Sequence, residues 1–149
     1  MFDIKMTYNK SDNKIFISLS RGENIFTNLY KIFKNEDVKS AWVNGIGAVE
    51  NVEIGSYNLK HKKYDKLKLK GIFELTSLVG NLSYKEGSPF LHLHVNLSDH
   101  KCKAYGGHLF DANISIAGEF LVNVLNIDSQ RFYNEEIGLN LLEFKNCEK

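Results

Sequence analysis

The sequence has few of the features that mark specialised classes of protein. It contains two cysteines, Cys102 and Cys147, and one proline among 149 residues. Two cysteines without metal-ligand spacing predict neither a disulfide framework nor a cysteine-based metal site. No apolar run approaches the roughly 18 residues that a membrane span requires. Residues 1–5 carry neither an apolar signal core nor a cleavage site. Together these absences favour a soluble, reduced, cytoplasmic protein.

The charge balance is nearly neutral, with a formal net charge of +1 at pH 7. A domain dedicated to nucleic-acid binding is usually far more basic, so the charge gives no electrostatic support for direct DNA binding. The apolar fraction of 43% and the charged fraction of 25% are those of an ordinary globular protein. The length predicts one domain, spanning residues 1–149.

One segment shows the apolar period of a helix. Ile25, Leu29, Ile32 and Phe33 recur at helical spacing after Asn24, which suits an N-cap. Elsewhere strand patterns dominate, and strands are predicted over 2–8, 14–20, 40–49, 52–59, 67–69, 72–79, 90–97, 104–110, 113–117, 119–127 and 141–144. One helix among many short strands predicts an α+β fold: a mainly antiparallel β-sheet packed with one principal amphipathic helix in a single compact domain.

Four of the five histidines lie within seventeen positions: His100 lies in a polar loop, and the other three lie in Leu91-His92-Leu93-His94-Val95 and in Gly106-Gly107-His108. Residues i and i+2 of a strand face the same side, so His92 and His94 project together. The glycines before His108 allow its backbone to approach a neighbouring strand. Three neutral imidazoles suit Zn²⁺ or another divalent metal and leave a fourth position open. The pattern alone leaves a second reading, in which the histidines are merely exposed or hydrogen-bonded.

Two glutamates interrupt apolar runs and are possible carboxylates of such a site. Glu74 lies in Ile72-Phe73-Glu74-Leu75, and Glu119 lies in Gly118-Glu119-Phe120. If either reaches a metal-bound water, it could act as a general base, and the protein would then be a metal-dependent enzyme. The alternative is that both side chains lie on exposed strand faces.

A basic segment, residues 60–70, contains six lysines in eleven positions. It is either a patch that contacts phosphate or a solvated strand face. Lys66, Lys68 and Lys70 alternate with leucines, which favours the solvated face and protects a sheet edge against aggregation.

An ordered set of motifs resembles the plant-and-prokaryote-conserved (PPC) domain family, in its stand-alone prokaryotic form without an AT-hook. The similarity spans about residues 19–142. The motifs that carry it lie at 21–23, 45–49, 71–81, 91–95, 106–109 and 131–139.

The resemblance implies a sheet-and-helix α+β fold that assembles as a homotrimer. It also implies that His92, His94 and His108 can gather around a metal, commonly zinc. The family carries a DNA-binding label from its plant members, so the implied function is that of a DNA-associated regulatory protein. Its partners would be further copies of itself and DNA or a regulatory protein. A metal-free scaffold for interactions remains the simplest alternative.

Overall fold

The computed structural model describes residues 5–144. Within them the chain forms one helix and nine strands. In chain order these are β1 (Thr7–Ser11), β2 (Lys14–Ser20), α1 (Ile25–Asn35), β3 (Ala41–Asn58), β4 (Lys63–Leu69), β5 (Phe73–Lys85), β6 (Ser88–Ser98), β7 (Ala104–Val124), β8 (Gln130–Asn134) and β9 (Leu139–Glu143).

Four long antiparallel strands close into a ring that surrounds the core. β3 pairs with β5 and β7, and β6 pairs with the same two strands. β1 and β2 extend the sheet from β7, β4 pairs with β3, and β8 lies parallel to the end of β5. The prediction of a mainly antiparallel α+β domain is confirmed.

The helix begins where its sequence predicts. Asn24 is the N-cap, and its side chain accepts a hydrogen bond from the backbone N–H of Thr27. The four apolar residues that set the helical period are all buried in the same core as the inward residues of the strands. The Asn24 amide also donates to Asp111 and Asn113 at the middle of β7, which fixes the start of the helix against the sheet.

Several predicted strand boundaries were wrong. The segments 40–49 and 52–59 form one strand, β3, and 104–110, 113–117 and 119–127 form one strand of 21 residues, β7. The strand predicted over 2–8 is β1, which begins at Thr7 and continues to Ser11; residues 1–4 lie outside the described part. β8 was missed. Glycines and polar residues suggested that these strands end. Instead β3 and β7 continue through those positions, and only the register of their pairing shifts.

Alternation along β6 sets the direction of its side chains. Leu91, Leu93, Val95 and Leu97 are buried, whereas His92 and His94 lie on the outer face. A slip of one residue would expose the apolar side chains, at a cost of about 1.5–3 kcal/mol for each large one. The register of β6 is therefore strongly fixed.

Gly80 of β5 lies opposite Leu93 and provides the space that this register needs. A Cβ atom at Gly80 would overlap the carbonyl oxygen of His92 and approach a methyl carbon of Leu93 to 2.8 Å. Backbone cannot move aside as a flexible side chain can, so only glycine fits here.

We expect Gly80→Ala to lower the free energy of unfolding by about 1–3 kcal/mol, because the added methyl group overpacks the β5–β6 contact. Chemical denaturation with matched m-values measures the change. Ser77→Ala, on the same strand, is the control and should have a much smaller effect. Equal stability of the Gly80→Ala variant and the wild type would contradict the close approach.

Candidate metal centre

The three predicted histidines converge on the outer face of the ring. His94 of β6 lies directly opposite His108 of β7 in the strand register, and His92 lies two residues before His94. One ring nitrogen from each histidine lies within 4.8 Å of the others. The Nε2 atoms of His92 and His94 are 3.1 Å apart. We call these three residues the histidine triad.

The donor set and spacing fit a divalent metal. Zinc–nitrogen distances of about 2.0–2.1 Å in a tetrahedral site place ligand nitrogens roughly 3.4 Å apart, close to the spacing of His92 and His94. The Nδ1 atom of His108 is buried and has no hydrogen-bond partner among the described residues. An unsatisfied buried nitrogen is costly, and coordination through Nδ1 would satisfy it. A metal held by the triad would supply a Lewis-acid centre with an open coordination position.

His92 and His108 are held in the neutral form that metal ligation requires. Burial, with the nearby charge of Arg131 and then that of His94, lowers the pKa of His92 to about 4. Burial, with the neighbouring His92 and His94, lowers the pKa of His108 likewise to about 4. Both rings are therefore uncharged at neutral pH, and neither has to lose its charge as an imidazolium before a metal binds.

Aromatic rings form one wall of the triad. Tyr64 of β4 lies against His108 with ring centroids 4.8 Å apart, and Phe110 lies 4.7 Å from His108 on the same strand. Tyr64 also packs edge-on against Phe110, at 5.0 Å. Burial raises the pKa of the Tyr64 hydroxyl. These contacts restrict the His108 ring and limit the approach of water from that side.

Arg131 of β8 lies against His92, and no sequence pattern assigned it a role. Its Nη2 atom lies 3.3 Å from Nδ1 of His92 and 3.0 Å from Oδ1 of Asn81. Its Nε donates to Ser83, and its Nη1 donates to the carbonyl of Asn140. Arg131 belongs to the closing motif of the sequence, but only the parallel contact of β8 with β5 brings it to the triad.

The two glutamates do not join the triad. Glu74 is exposed and lies opposite Ser98, four residues along β6 from His94, or about 13 Å away on an extended strand. Glu119 is exposed and lies opposite Ile46, in the half of β7 that pairs with β2. The described residues therefore place no carboxylate with the triad, and the geometry gives the enzyme alternative no general base.

The basic segment is partly neutralised within the protein. Lys66 and Lys68 form ion pairs with Glu53 at 2.8 and 3.6 Å, and Lys66 also lies 3.8 Å over the ring of Phe110. Lys62 donates to the carbonyl of Glu135. These contacts favour the prediction of a strand face over that of a patch dedicated to phosphate, and they add internal pairing that the sequence did not predict. No helix in the described part of the chain is long and apolar enough to cross a membrane.

Comparisons with known proteins agree with this architecture. The model of the Plants and Prokaryotes Conserved (PCC) domain, the family that the motifs resemble, matches residues 6–126. A comparison with curated proteins gives no significant match.

Solved structures with the same fold come from bacteria and archaea. One, described as a "putative DNA binding protein" from Bacteroides thetaiotaomicron, is 31% identical, with a TM-score of 0.90 over 96% of this chain and all of that chain. A plant- and prokaryote-conserved protein from Pyrococcus horikoshii is also 31% identical, with a TM-score of 0.82 over 99% of this chain and all of that one. A metal-containing protein from Archaeoglobus fulgidus is 30% identical, with a TM-score of 0.80 over 97% of this chain and all of the other. With a family model that covers most of its length and these full-length structural relatives, the chain belongs to the plant-and-prokaryote-conserved domain family.

Proposed function

We propose that the protein is a homotrimeric binding and regulatory module that holds a divalent metal, with zinc the best fit, at His92, His94 and His108. The observation that carries this proposal is the convergence of three imidazole nitrogens within 4.8 Å on the outer face of the ring. The all-nitrogen donor set suits zinc among the common divalent ions. A relative described as a metal-containing protein adds support.

We expect protein purified without a histidine tag and then exposed to zinc to retain about one metal ion per chain after exhaustive dialysis. The double variant His92→Ala, His94→Ala should retain almost none, because two of the three ligands are lost. Elemental analysis of the dialysed samples measures both. His100→Ala is the control, since His100 is exposed and lies outside the triad. Equal, near-zero metal in the wild type and the double variant would contradict the metal site.

Self-association is supported by an apolar surface beside the triad. On the outer face of the sheet Phe16, Trp42, Ile46 and Val79 are 58%, 44%, 55% and 36% exposed. The strand pairing joins Phe16 to Leu121, and it places Val79 next to His94. Contiguous exposed apolar patches of this kind mark interfaces between proteins. We infer that further copies of this chain cover the patch in a trimer.

We expect light scattering coupled to size-exclusion chromatography to give the mass of three chains. Trp42→Glu should shift the population to monomers, because a carboxylate within an apolar interface would be buried without a partner. Leu59→Glu is the matched control, since Leu59 is 56% exposed but lies in the turn after β3, away from the patch. A wild-type protein that is monomeric at high concentration would contradict the trimer.

We infer that the protein regulates through an association with DNA that a protein partner mediates. The DNA-binding description of the structural relatives supports an association with DNA. The net charge of +1 and the internal pairing of the basic segment argue that this chain contributes little phosphate contact of its own.

Fluorescence anisotropy with duplex DNA tests whether this chain contacts DNA directly or only through a partner. At physiological salt we expect a dissociation constant no tighter than about 10⁻⁴ M, the weak end of nonspecific binding. Lys60→Glu combined with Lys63→Glu, at two exposed lysines of the basic segment, should then change little. Binding tighter than about 10⁻⁶ M that these substitutions abolish would instead establish direct contact with DNA through the basic segment.

A further inference from the structure

Arg131 is a buried cation without an acidic partner among residues 5–144. Arg131 is only 8% exposed to solvent. Its hydrogen bonds go to a hydroxyl, a backbone carbonyl, an amide oxygen and His92, and no described carboxylate pairs with it. Buried charges in proteins are normally compensated by an opposite charge, because desolvation of an isolated ion is costly. The guanidinium also lies 5.0 Å from the ring centroid of Phe90, a cation–π contact, but no opposite charge among the described residues neutralises it.

The contact with Arg131 also decides which nitrogen of His92 carries the proton. A guanidinium can only donate, so Nδ1 of His92 must accept. In the neutral ring the single proton then lies on Nε2, which faces Nε2 of His94 at 3.1 Å. Metal ligation through Nε2 requires that nitrogen to be bare. Arg131 thus opposes a bound dication in two ways: by its charge, and by the tautomer that it selects.

The other charged groups near the triad do not provide the missing compensation. Lys66, which lies over Phe110, is already paired with Glu53. Glu74 and Glu119 lie elsewhere on the outer face. Within residues 5–144 no carboxylate pairs with Arg131, and an external anion can supply the negative charge.

We propose that Arg131 couples metal binding at the triad to an oxyanion, a carboxylate or a phosphate, that binds together with the metal and strengthens its binding. This inference rests on the proposed metal-binding function and names the class of ligand that the site takes. An oxyanion offsets the charge of the guanidinium and offers it a stronger acceptor than an imidazole nitrogen. His92 is then free to carry its proton on Nδ1 and to present Nε2 to the metal. By linkage, the metal raises the affinity for the anion by the same factor.

Competition for Zn²⁺ with a chromophoric chelator, at constant pH and ionic strength, measures this coupling. We expect the zinc affinity of the wild type to rise by roughly 5–150-fold when perchlorate is replaced by acetate or by phosphate. The larger of the two increments identifies the preferred anion. Arg131→Gln removes the charge, so its zinc affinity in perchlorate should equal or exceed that of the wild type and should not respond to either anion. Ser83→Ala is the matched control, because it removes one hydrogen bond of Arg131 but keeps the charge, and it should retain the response.

The outcomes separate this inference from the proposed function. Zinc that binds equally well in all three salts, or an Arg131→Gln variant with the wild-type response, overturns the role of Arg131 but leaves the metal site intact. A wild type that binds no zinc in any salt overturns the metal site and this inference with it.

A measurement on the metal-free wild type keeps the inference testable if Arg131→Gln does not fold. Nitrogen-15 NMR of the imidazole rings distinguishes the two neutral tautomers. We expect His92 to carry its proton on Nε2 and to switch to Nδ1 when zinc and the anion are both present. A metal-free His92 with its proton on Nδ1 would overturn the proposal.

Discussion

Four apolar side chains of β6 point into the core and hold that strand in one register between β5 and β7. The two histidines between them are thereby turned outward. Because the same register places His94 opposite His108, packing in the core determines the position of all three imidazoles. Gly80 is part of the same constraint, since a side chain there would separate β5 from β6. The geometry of the site is thus a consequence of hydrophobic burial on the other side of the strand.

Electrostatics gives this site its particular character. The triad is an all-nitrogen donor set with an uncompensated guanidinium at its edge and no carboxylate among its described neighbours. Such a site lacks a general base for hydrolysis, and it gains most from a ligand that brings negative charge. A binding module that responds to a metal together with a small anion is consistent with both features.

Much of the fold and of the triad follows from local sequence patterns. The helix, its cap at Asn24 and the common face of His92 and His94 each depend on residues close together in the chain, so periodicity was enough to predict them. The continuous course of β3 and β7 was not predictable, because their breaks in pattern are accommodated by pairing with distant strands. Arg131 was not identified for the same reason: 39 positions separate it from His92, and only the docking of β8 on β5 joins them. The pairing of His94 with His108 was an assumption from sequence, and the strand register now supplies it.

We infer that the register of β6 and β7 brings three imidazoles together as one metal site. Anomalous X-ray diffraction at the zinc absorption edge, from crystals grown with zinc and acetate, tests it directly. We expect one strong anomalous peak per chain, within about 2.0–2.1 Å of a ring nitrogen of each of His92, His94 and His108. A peak bound by only two of them, or located elsewhere on the protein while the triad is free of metal, would contradict the account.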